Sequence, residues 1–117
     1  MVEIKRGDIW LVNLDPTIGH EIKKSRPSVI IQNDLGNKYS PITIIAPITS
    51  QNIAKIYPIE VLLRRNLGLE KDSKALLNQI RAIDKGRLIK KLGRVDGETM
   101  ANIDAAIEIS LGLVQID

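Results

Sequence analysis

Polar side chains occur where predicted apolar strands begin or end. Arg26 stands directly before Pro27 and an apolar run, whereas Thr49, Ser50 and Gln51 follow another apolar run. A guanidinium held in place beside a hydroxyl group can bind the non-bridging oxygens of a phosphate. Each residue taken alone is typical of an ordinary strand end. Together they predict a site for a phosphate-containing ligand.

A later stretch contributes more polar side chains. We predict that Lys74 to Asp84 forms one long strand, in which Gln79 and Arg81 lie on the same face. These side chains extend the candidate site.

The segment before Arg26 is polar and basic. It is too polar to bury, so we predict a loop that presents cations to an anionic ligand at the start of a rigid strand. His20 is the only histidine and is a candidate general acid or base, although an exposed loop histidine without a role is more common. The charged or titratable residues of this loop are His20, Glu21, Lys23 and Lys24.

Several kinds of chemistry lack the residues they need. The chain has no cysteine, and no Asp/Glu pair stands at a recognisable ligand spacing, so we predict neither a metal nor a cofactor. The glycines stand singly, which does not match a phosphate-binding glycine loop. The few aromatic residues are scattered and do not predict a base-stacking surface.

Length and composition limit the fold. The 117 residues predict a single domain, spanning residues 1–117, and the 44% hydrophobic content can supply one modest core. Because aromatic residues make up only 3%, that core must consist of Ile, Leu and Val. The net charge of +3 fits an anionic partner. No signal peptide or membrane-spanning run is expected, which favours a cytoplasmic protein.

Alternating and apolar runs predict a mainly β fold that includes α-helix. We expect the Pro-containing segment Asp34 to Pro41 to be a loop, strand pairing to falter at Pro47, and Arg87 to Leu92 to be a short helix. A last helix should begin after Asp96, since apolar residues then recur at helical spacing. A strongly bent sheet or small barrel closed by that helix would accommodate these elements. The predicted strands are Ile9–Leu14, Pro27–Asn33, Ile42–Ala46, Tyr57–Leu63 and Lys74–Asp84.

An ordered series of motifs resembles the toxin endoribonucleases of the MazF/PemK family. Any one motif is weak, but the series covers nearly the whole chain in the right order. The motifs are Lys5-Arg6-Gly7-Asp8-Ile9-Trp10, Asp15-Pro16, Gly19-His20-Glu21, Ser25-Arg26-Pro27, Val29-Ile30-Ile31-Gln32-Asn33-Asp34, Ile48-Thr49-Ser50-Gln51, and Asp72-Ser73 before Leu76-Leu77-Asn78-Gln79-Ile80-Arg81.

The resemblance implies an SH3-like barrel of the CcdB/PemK type, with about five to seven strands and a C-terminal helix, acting as a homodimer. It implies sequence-specific, metal-independent cleavage of single-stranded RNA. It further implies a cognate MazE-like antitoxin that blocks the RNA groove, and contact with DNA only through the toxin–antitoxin complex.

The same resemblance assigns roles to individual residues. Arg26 matches the catalytic arginine before proline, and Thr49 matches the catalytic threonine after the third strand. Asn78 stands where relatives often carry Glu, so the preferred RNA sequence should differ. The RNA-binding residues expected from the resemblance and from the patterns above are His20, Glu21, Lys23, Lys24, Ser50, Gln51, Asn78, Gln79 and Arg81.

The expected chemistry is attack of the RNA 2′-hydroxyl on the adjacent phosphorus, which gives a 2′,3′-cyclic phosphate and a 5′-hydroxyl end. Arginine gives up a proton poorly, so Arg26 should stabilise charge. Glu21, water or His20 remains open as the acceptor of the 2′-hydroxyl proton.

Two other functions fit parts of the sequence. The first is a gyrase inhibitor of the CcdB type, although the C-terminal segment Leu113 to Asp117 lacks an aromatic anchor for such a contact. The second is a non-catalytic nucleic-acid-binding domain that uses charge alone. Its cations would be Lys23, Lys24, Arg64, Arg65, Lys90 and Lys91.

Overall fold

A computed structural model describes residues 3–22 and 24–116. No helix within these ranges is long and apolar enough to cross a membrane. The strands are β1 (Asp8–Asn13), β2 (Ser25–Ile30), β3 (Ile42–Thr49), β4 (Glu60–Leu63), β5 (Ser73–Leu76), β6 (Arg81–Asp84) and β7 (Leu88–Arg94). The α-helices are α1 (Asp34–Tyr39) and α2 (Gly97–Ser110), and short 3₁₀ turns span Arg65–Leu67 and Lys85–Arg87.

The strands form one seven-stranded antiparallel sheet in the order β4-β5-β3-β2-β1-β7, with β6 also paired to β3. This mainly β fold with a C-terminal helix confirms the predicted fold class, although strand pairing does not join the two ends of the described sheet. Strand β3 is the centre of the sheet because it pairs with β2, β5 and β6.

Strand β3 continues past Pro47 to Thr49, so the predicted end at Ala46 is wrong. On one edge of β3, pairing with β6 stops at Ile45 and pairing with β5 starts at Ile48. Pro47 lies in this gap, where its missing N–H costs no ladder hydrogen bond on that edge. Thr49, which follows the proline by two residues, is therefore still part of the sheet.

Two backbone segments meet closely where the ends of the sheet approach each other. A Cβ added to Gly93 of β7 would lie 1.9 Å from the Leu67 carbonyl oxygen, and one added to Gly68 would lie 2.2 Å from the Leu92 carbonyl oxygen. Gly68 also has a φ of +108°, which disfavours any residue with a side chain. These glycines let the sheet curl into its barrel-like shape.

Replacing Gly93 with alanine is expected to lower the free energy of unfolding by about 1–3 kcal/mol, because the new methyl group overlaps the Leu67 carbonyl. Chemical denaturation measures the change. Gly97→Ala is the control, since a Cβ there meets nothing within 4 Å. Equal stabilities for both variants would contradict the close contact.

Hydrophobic side chains form clusters on both faces of the sheet. Helix α2 contributes Ile103 and Ala106 to one cluster, which includes Ile9 and Val29. Trp10 is 8% exposed and lies in the other cluster. As predicted, the core is dominated by Ile, Leu and Val.

Helix α2 confirms the predicted C-terminal helix. The Asp96 carboxylate accepts a hydrogen bond from the Thr99 N–H at 2.7 Å. Hydrogen bonds from the side chain and backbone of Thr99 lower the pKa of Asp96. Leu111 and Val114, which continue the helical spacing in the sequence, lie beyond the helix and are exposed.

The predicted loop at Asp34–Pro41 is wrong, because it contains helix α1. Asn33 caps this helix by accepting a hydrogen bond from the Gly36 N–H at 2.8 Å. Asn37 is buried, and its side chain accepts a hydrogen bond from the Thr43 hydroxyl at 2.7 Å. Tertiary hydrogen bonds thus hold a helix in a segment whose residue types favour turns.

Two further secondary-structure elements were predicted wrongly. The expected long strand Lys74–Asp84 is divided into β5 and β6 by a turn, in which the Gln79 N–H donates to the Leu76 carbonyl at 3.1 Å. The expected helix Arg87–Leu92 lies largely in strand β7, which pairs with β1. Most of the segment Arg87–Leu92 is a strand because its backbone pairs with the distant strand β1.

Candidate functional site

Arg26 and Thr49 occupy corresponding positions on neighbouring strands. The antiparallel register of β2 and β3 pairs Ser28 with Pro47, and extending it by two residues places Arg26 opposite Thr49. Residues two apart on a strand lie on the same face, so both side chains lie on the face shared by Ser28 and Pro47. Two side chains that are 23 positions apart in the sequence are therefore brought together.

Lys74 lies on the other side of Thr49. The β3–β5 register pairs Thr49 with Lys74 directly, so these two side chains also share a face. Neighbouring strands are about 4.8 Å apart. A row of Arg26, Thr49 and Lys74 thus crosses the sheet from β2 to β5.

This row lies in a cleft of about 610 Å³. The β1–β2 loop and the segment after β3 form its walls, and residues of β4, β5 and the β5–β6 turn complete it. The lining residues are Gly19, His20, Glu21, Ile22, Lys24, Arg26, Thr49, Gln51, Asn52, Glu60, Lys74, Leu76 and Gln79.

Hydrogen bonds fold the β1–β2 loop towards the cleft. The Leu14 N–H donates to the Lys24 carbonyl at 3.1 Å, and the Lys24 N–H donates to the Asp15 carboxylate at 2.9 Å. The Ile22 N–H donates to Oε1 of Gln79 at 2.9 Å. Gln79, predicted to bind RNA, thus also ties the loop to the β5–β6 turn.

The polar side chains Glu21, Thr49 and His20 of the cleft differ in their hydrogen bonds and exposure. Oε1 of Glu21 accepts a hydrogen bond from the Ile18 N–H, which orients the carboxylate within the loop. The Thr49 hydroxyl oxygen accepts from the Gln51 N–H at 3.2 Å, so the hydroxyl proton can be donated to a ligand. His20 is exposed on the cleft wall.

A second cleft, of about 410 Å³, shares Arg26 with the first. Ser50 lines this second cleft and not the first, as expected for a residue adjacent to Thr49. Lys71 and Lys90 also line it. Arg26 therefore lies between two depressions.

The remaining predicted residues are placed differently. Asn78 is exposed and lines neither cleft, and Arg81 donates to the Leu14 carbonyl at 3.0 Å. The prediction that Gln79 and Arg81 share a strand face is wrong, because Gln79 lies in the turn before β6. Lys23 falls outside the described residues. The roles of these residues in binding RNA stay predictions.

Sequence reasoning missed Lys74 and Glu60. Their side chains form an ion pair at 2.9 Å and are only 6% and 10% exposed. The signal for Lys74 was a single lysine within the run Ser73-Lys74-Ala75-Leu76-Leu77. An isolated charge in an otherwise apolar strand indicates a paired, buried group.

Within residues 3–22 and 24–116, no group of three or more His, Asp or Glu side chains is arranged to hold a metal ion. The cationic and hydroxyl groups of the cleft instead fit an anion.

Comparisons with known proteins agree with this architecture. Residues 5–111 match the family described as PemK-like, MazF-like toxin of type II toxin-antitoxin system. The chain is 44% identical over 112 residues to Endoribonuclease EndoA of Bacillus subtilis (strain 168), covering 95% of this chain and 97% of that protein.

Solved structures share the fold. MazF from Deinococcus radiodurans superposes with a TM-score of 0.83 at 26% identity, covering 96% of this chain and 99% of that one. An endoribonuclease from a mycobacterial species, solved with its cognate antitoxin, gives a TM-score of 0.80 at 21% identity, covering 97% and 99%. The chain belongs to the family of PemK-like, MazF-like toxins of type II toxin–antitoxin systems.

Proposed function

We propose that Arg26 and Thr49 carry the endoribonuclease activity of this toxin, which acts on single-stranded RNA, including mRNA. The observation that carries this proposal is the cross-strand placement of the Arg26 guanidinium and the Thr49 hydroxyl in one cleft. The relative at 44% identity is named an endoribonuclease, which supports the same activity here.

The cleavage uses the 2′-hydroxyl of the RNA as the nucleophile. A bond forms between the 2′-oxygen and the adjacent phosphorus, while the bond from phosphorus to the 5′-oxygen of the next nucleotide breaks. The products are a 2′,3′-cyclic phosphate and a 5′-hydroxyl end. The attacking and leaving oxygens must lie in line, which a duplex prevents, so the substrate is single-stranded.

Arg26 and Thr49 act on the charge that develops on the non-bridging oxygens. A fixed guanidinium and a hydroxyl donor stabilise that charge without reorganising during the reaction. An arginine guanidinium has donors and no acceptor, so Arg26 does not accept the 2′-hydroxyl proton. It can instead donate a hydrogen bond to the leaving 5′-oxygen.

The Glu21 carboxylate is our candidate to accept the 2′-hydroxyl proton. It lines the cleft that contains Arg26 and Thr49, and its bond from the Ile18 N–H involves one carboxylate oxygen. Water and the exposed His20 are the alternative acceptors. The 5′-oxygen receives a proton from water as it leaves, while Arg26 donates a hydrogen bond to it.

Other cleft residues bind the RNA. Lys24 supplies attraction to the phosphates, while Gln51 and Gln79 present amide groups that can contact base edges. Asn78 is exposed beside Gln79 and lines neither cleft, and its proposed role is to influence the preferred sequence.

The toxin works as a homodimer that a cognate antitoxin neutralises by occupying the RNA cleft, and it meets DNA only within that complex. A structural relative solved with its cognate antitoxin supports such a partner. Because the mRNA substrate is translated in the cytoplasm, we place the toxin there.

Mapping the ends of a long RNA after incubation with the toxin in EDTA tests this function. We expect cuts at one recurring short sequence, with 5′-hydroxyl and 2′,3′-cyclic phosphate ends. Intact RNA, or cleavage only after a divalent metal is added, would overturn the proposal. Salt-sensitive binding without cleavage would support a non-catalytic domain, and inhibition of DNA supercoiling would support a gyrase inhibitor.

A further inference from the structure

Lys74 is a buried lysine next to Thr49 in the row formed by Arg26, Thr49 and Lys74. Its side chain is 6% exposed, and its ammonium donates to the Glu60 carboxylate at 2.9 Å. It also donates to the carbonyls of Asn52 at 3.1 Å and Lys55 at 3.3 Å. These partners use the three donors of an ammonium group, so Lys74 is already fully hydrogen-bonded before a ligand enters the cleft.

The two carbonyls belong to the segment that directly follows Thr49. Residues 50–59, between β3 and β4, form turns and bends without regular strand or helix structure. Asn52 and Lys55 are exposed residues, and the Lys74 ammonium donates a hydrogen bond to the backbone carbonyl of each. Lys74 thereby fixes the path by which the chain leaves Thr49.

Glu60 holds the other end of the same segment. The carboxylate oxygen that accepts from Lys74 also accepts from the Tyr57 N–H at 3.0 Å. The Lys74 ammonium lies 5.9 Å from the centre of the Tyr57 ring, within the range of a cation–π contact. Lys74 and Glu60 thus act as a single clamp on residues 52–57.

Lys74 also positions Thr49 through the backbone, because the two residues are direct partners in the β3–β5 register. Its main chain supports Thr49, and its side chain supports the residues that follow. The Gln51 N–H, which donates to the Thr49 hydroxyl at 3.2 Å, directly precedes the clamped residues 52–57.

We propose that the Lys74–Glu60 pair is a positioning element that holds Thr49 and Gln51 opposite Arg26. Its substrate is the RNA of the proposed function, on which this inference rests. Lys74 is not a catalytic residue here, because its donors are directed at Glu60 and the loop carbonyls. Misplacing a reacting group by about 1 Å can cost about 100-fold in rate.

The test combines Lys74→Met with Thr49→Ala in a kinetic double-mutant cycle. In single-turnover cleavage with saturating enzyme, Lys74→Met should lower the rate about tenfold or more, while the enzyme concentration that gives half the maximal rate changes little. Because Lys74 acts through Thr49, adding Lys74→Met to Thr49→Ala should cause little further loss. A structural role alone would lower the rate equally in both backgrounds.

Lys85→Met is the matched control. Lys85 is another lysine that donates to a backbone carbonyl, that of Asn37, but it lines neither cleft. The folded control should cut at the wild-type rate. Circular dichroism and thermal unfolding establish the folded fraction of each variant, so that rates refer to folded protein.

A second variant provides the same test if Lys74→Met does not fold. Lys74→Met combined with Glu60→Gln removes both buried charges, and the glutamine can still accept from Tyr57. It should show the same slow, non-additive cleavage. Wild-type rates in this folded variant, or full additivity with Thr49→Ala, would overturn the inference. If wild-type protein fails to cut RNA, or Thr49→Ala cuts normally, the proposed function fails instead.

Discussion

Replacing Arg26 with alanine is expected to lower kcat for cleavage of single-stranded RNA by about 10²–10³-fold or more, the usual loss on removing one oxyanion donor. Thr49 remains in the cleft, but its hydroxyl is a neutral donor and cannot replace the charge of a guanidinium. Single-turnover cleavage of a defined oligonucleotide in EDTA measures the effect. KM should change less than kcat, since the interaction strengthens in the transition state.

Two further substitutions test whether cleavage needs a guanidinium at position 26 or only a positive charge on the protein. Arg26→Lys keeps a cation but loses the planar fork, so its activity should lie between wild type and Arg26→Ala. Arg64→Ala removes the same charge from an exposed side chain that lines neither cleft, and should cleave nearly normally. Wild-type cleavage by Arg26→Ala would contradict the assignment. Equal losses from Arg26→Ala and Arg64→Ala would indicate binding by charge alone.

Removing the 2′-hydroxyl of the nucleotide on the 5′ side of the cut is expected to abolish cleavage at that site. In the proposed mechanism this hydroxyl is the nucleophile, and the toxin supplies no other. An RNA oligonucleotide with a single 2′-deoxy substitution at that position, assayed at high enzyme concentration, gives the measurement.

The control carries the 2′-deoxy substitution one nucleotide further along and should be cut, since its nucleophile is intact. The deoxy substrate should still bind, which competition against the all-RNA oligonucleotide measures. If the deoxy substrate is cut and leaves a 5′-phosphate, water is the nucleophile and the mechanism is wrong. If both substitutions block cleavage, the hydroxyl groups contribute to binding.

Local chemistry made some elements predictable. The C-terminal helix was expected because Asp96 is a good N-cap residue and apolar residues follow at helical spacing, and Asp96 does cap it. Strand β1 was predicted within one residue at each end, since its apolar run is bounded by turn residues. These two elements could be predicted because residues close together in the sequence specify them.

Other elements depended on contacts between distant residues. Helix α1 forms in a segment rich in turn residues, with Asn37 buried against Thr43. Strand β7 replaces a predicted helix because its backbone pairs with β1, more than 70 positions away. Such tertiary contacts stabilise a conformation more than the intrinsic helix or strand propensities of its residues do. A prediction from the local sequence pattern was therefore wrong for these two segments.

The sequence by itself determined the family, the main β character and the identity of Arg26 and Thr49 as the leading candidates, because these depend on residue types in a fixed order. Only the tertiary structure showed that Arg26, Thr49 and Lys74 line one cleft, in which the β3–β5 register pairs Thr49 with Lys74. It also revealed the Lys74–Glu60 pair and the bond between Gln79 and the β1–β2 loop. Register and burial arise from the pairing of distant segments, which no local pattern of residues specifies.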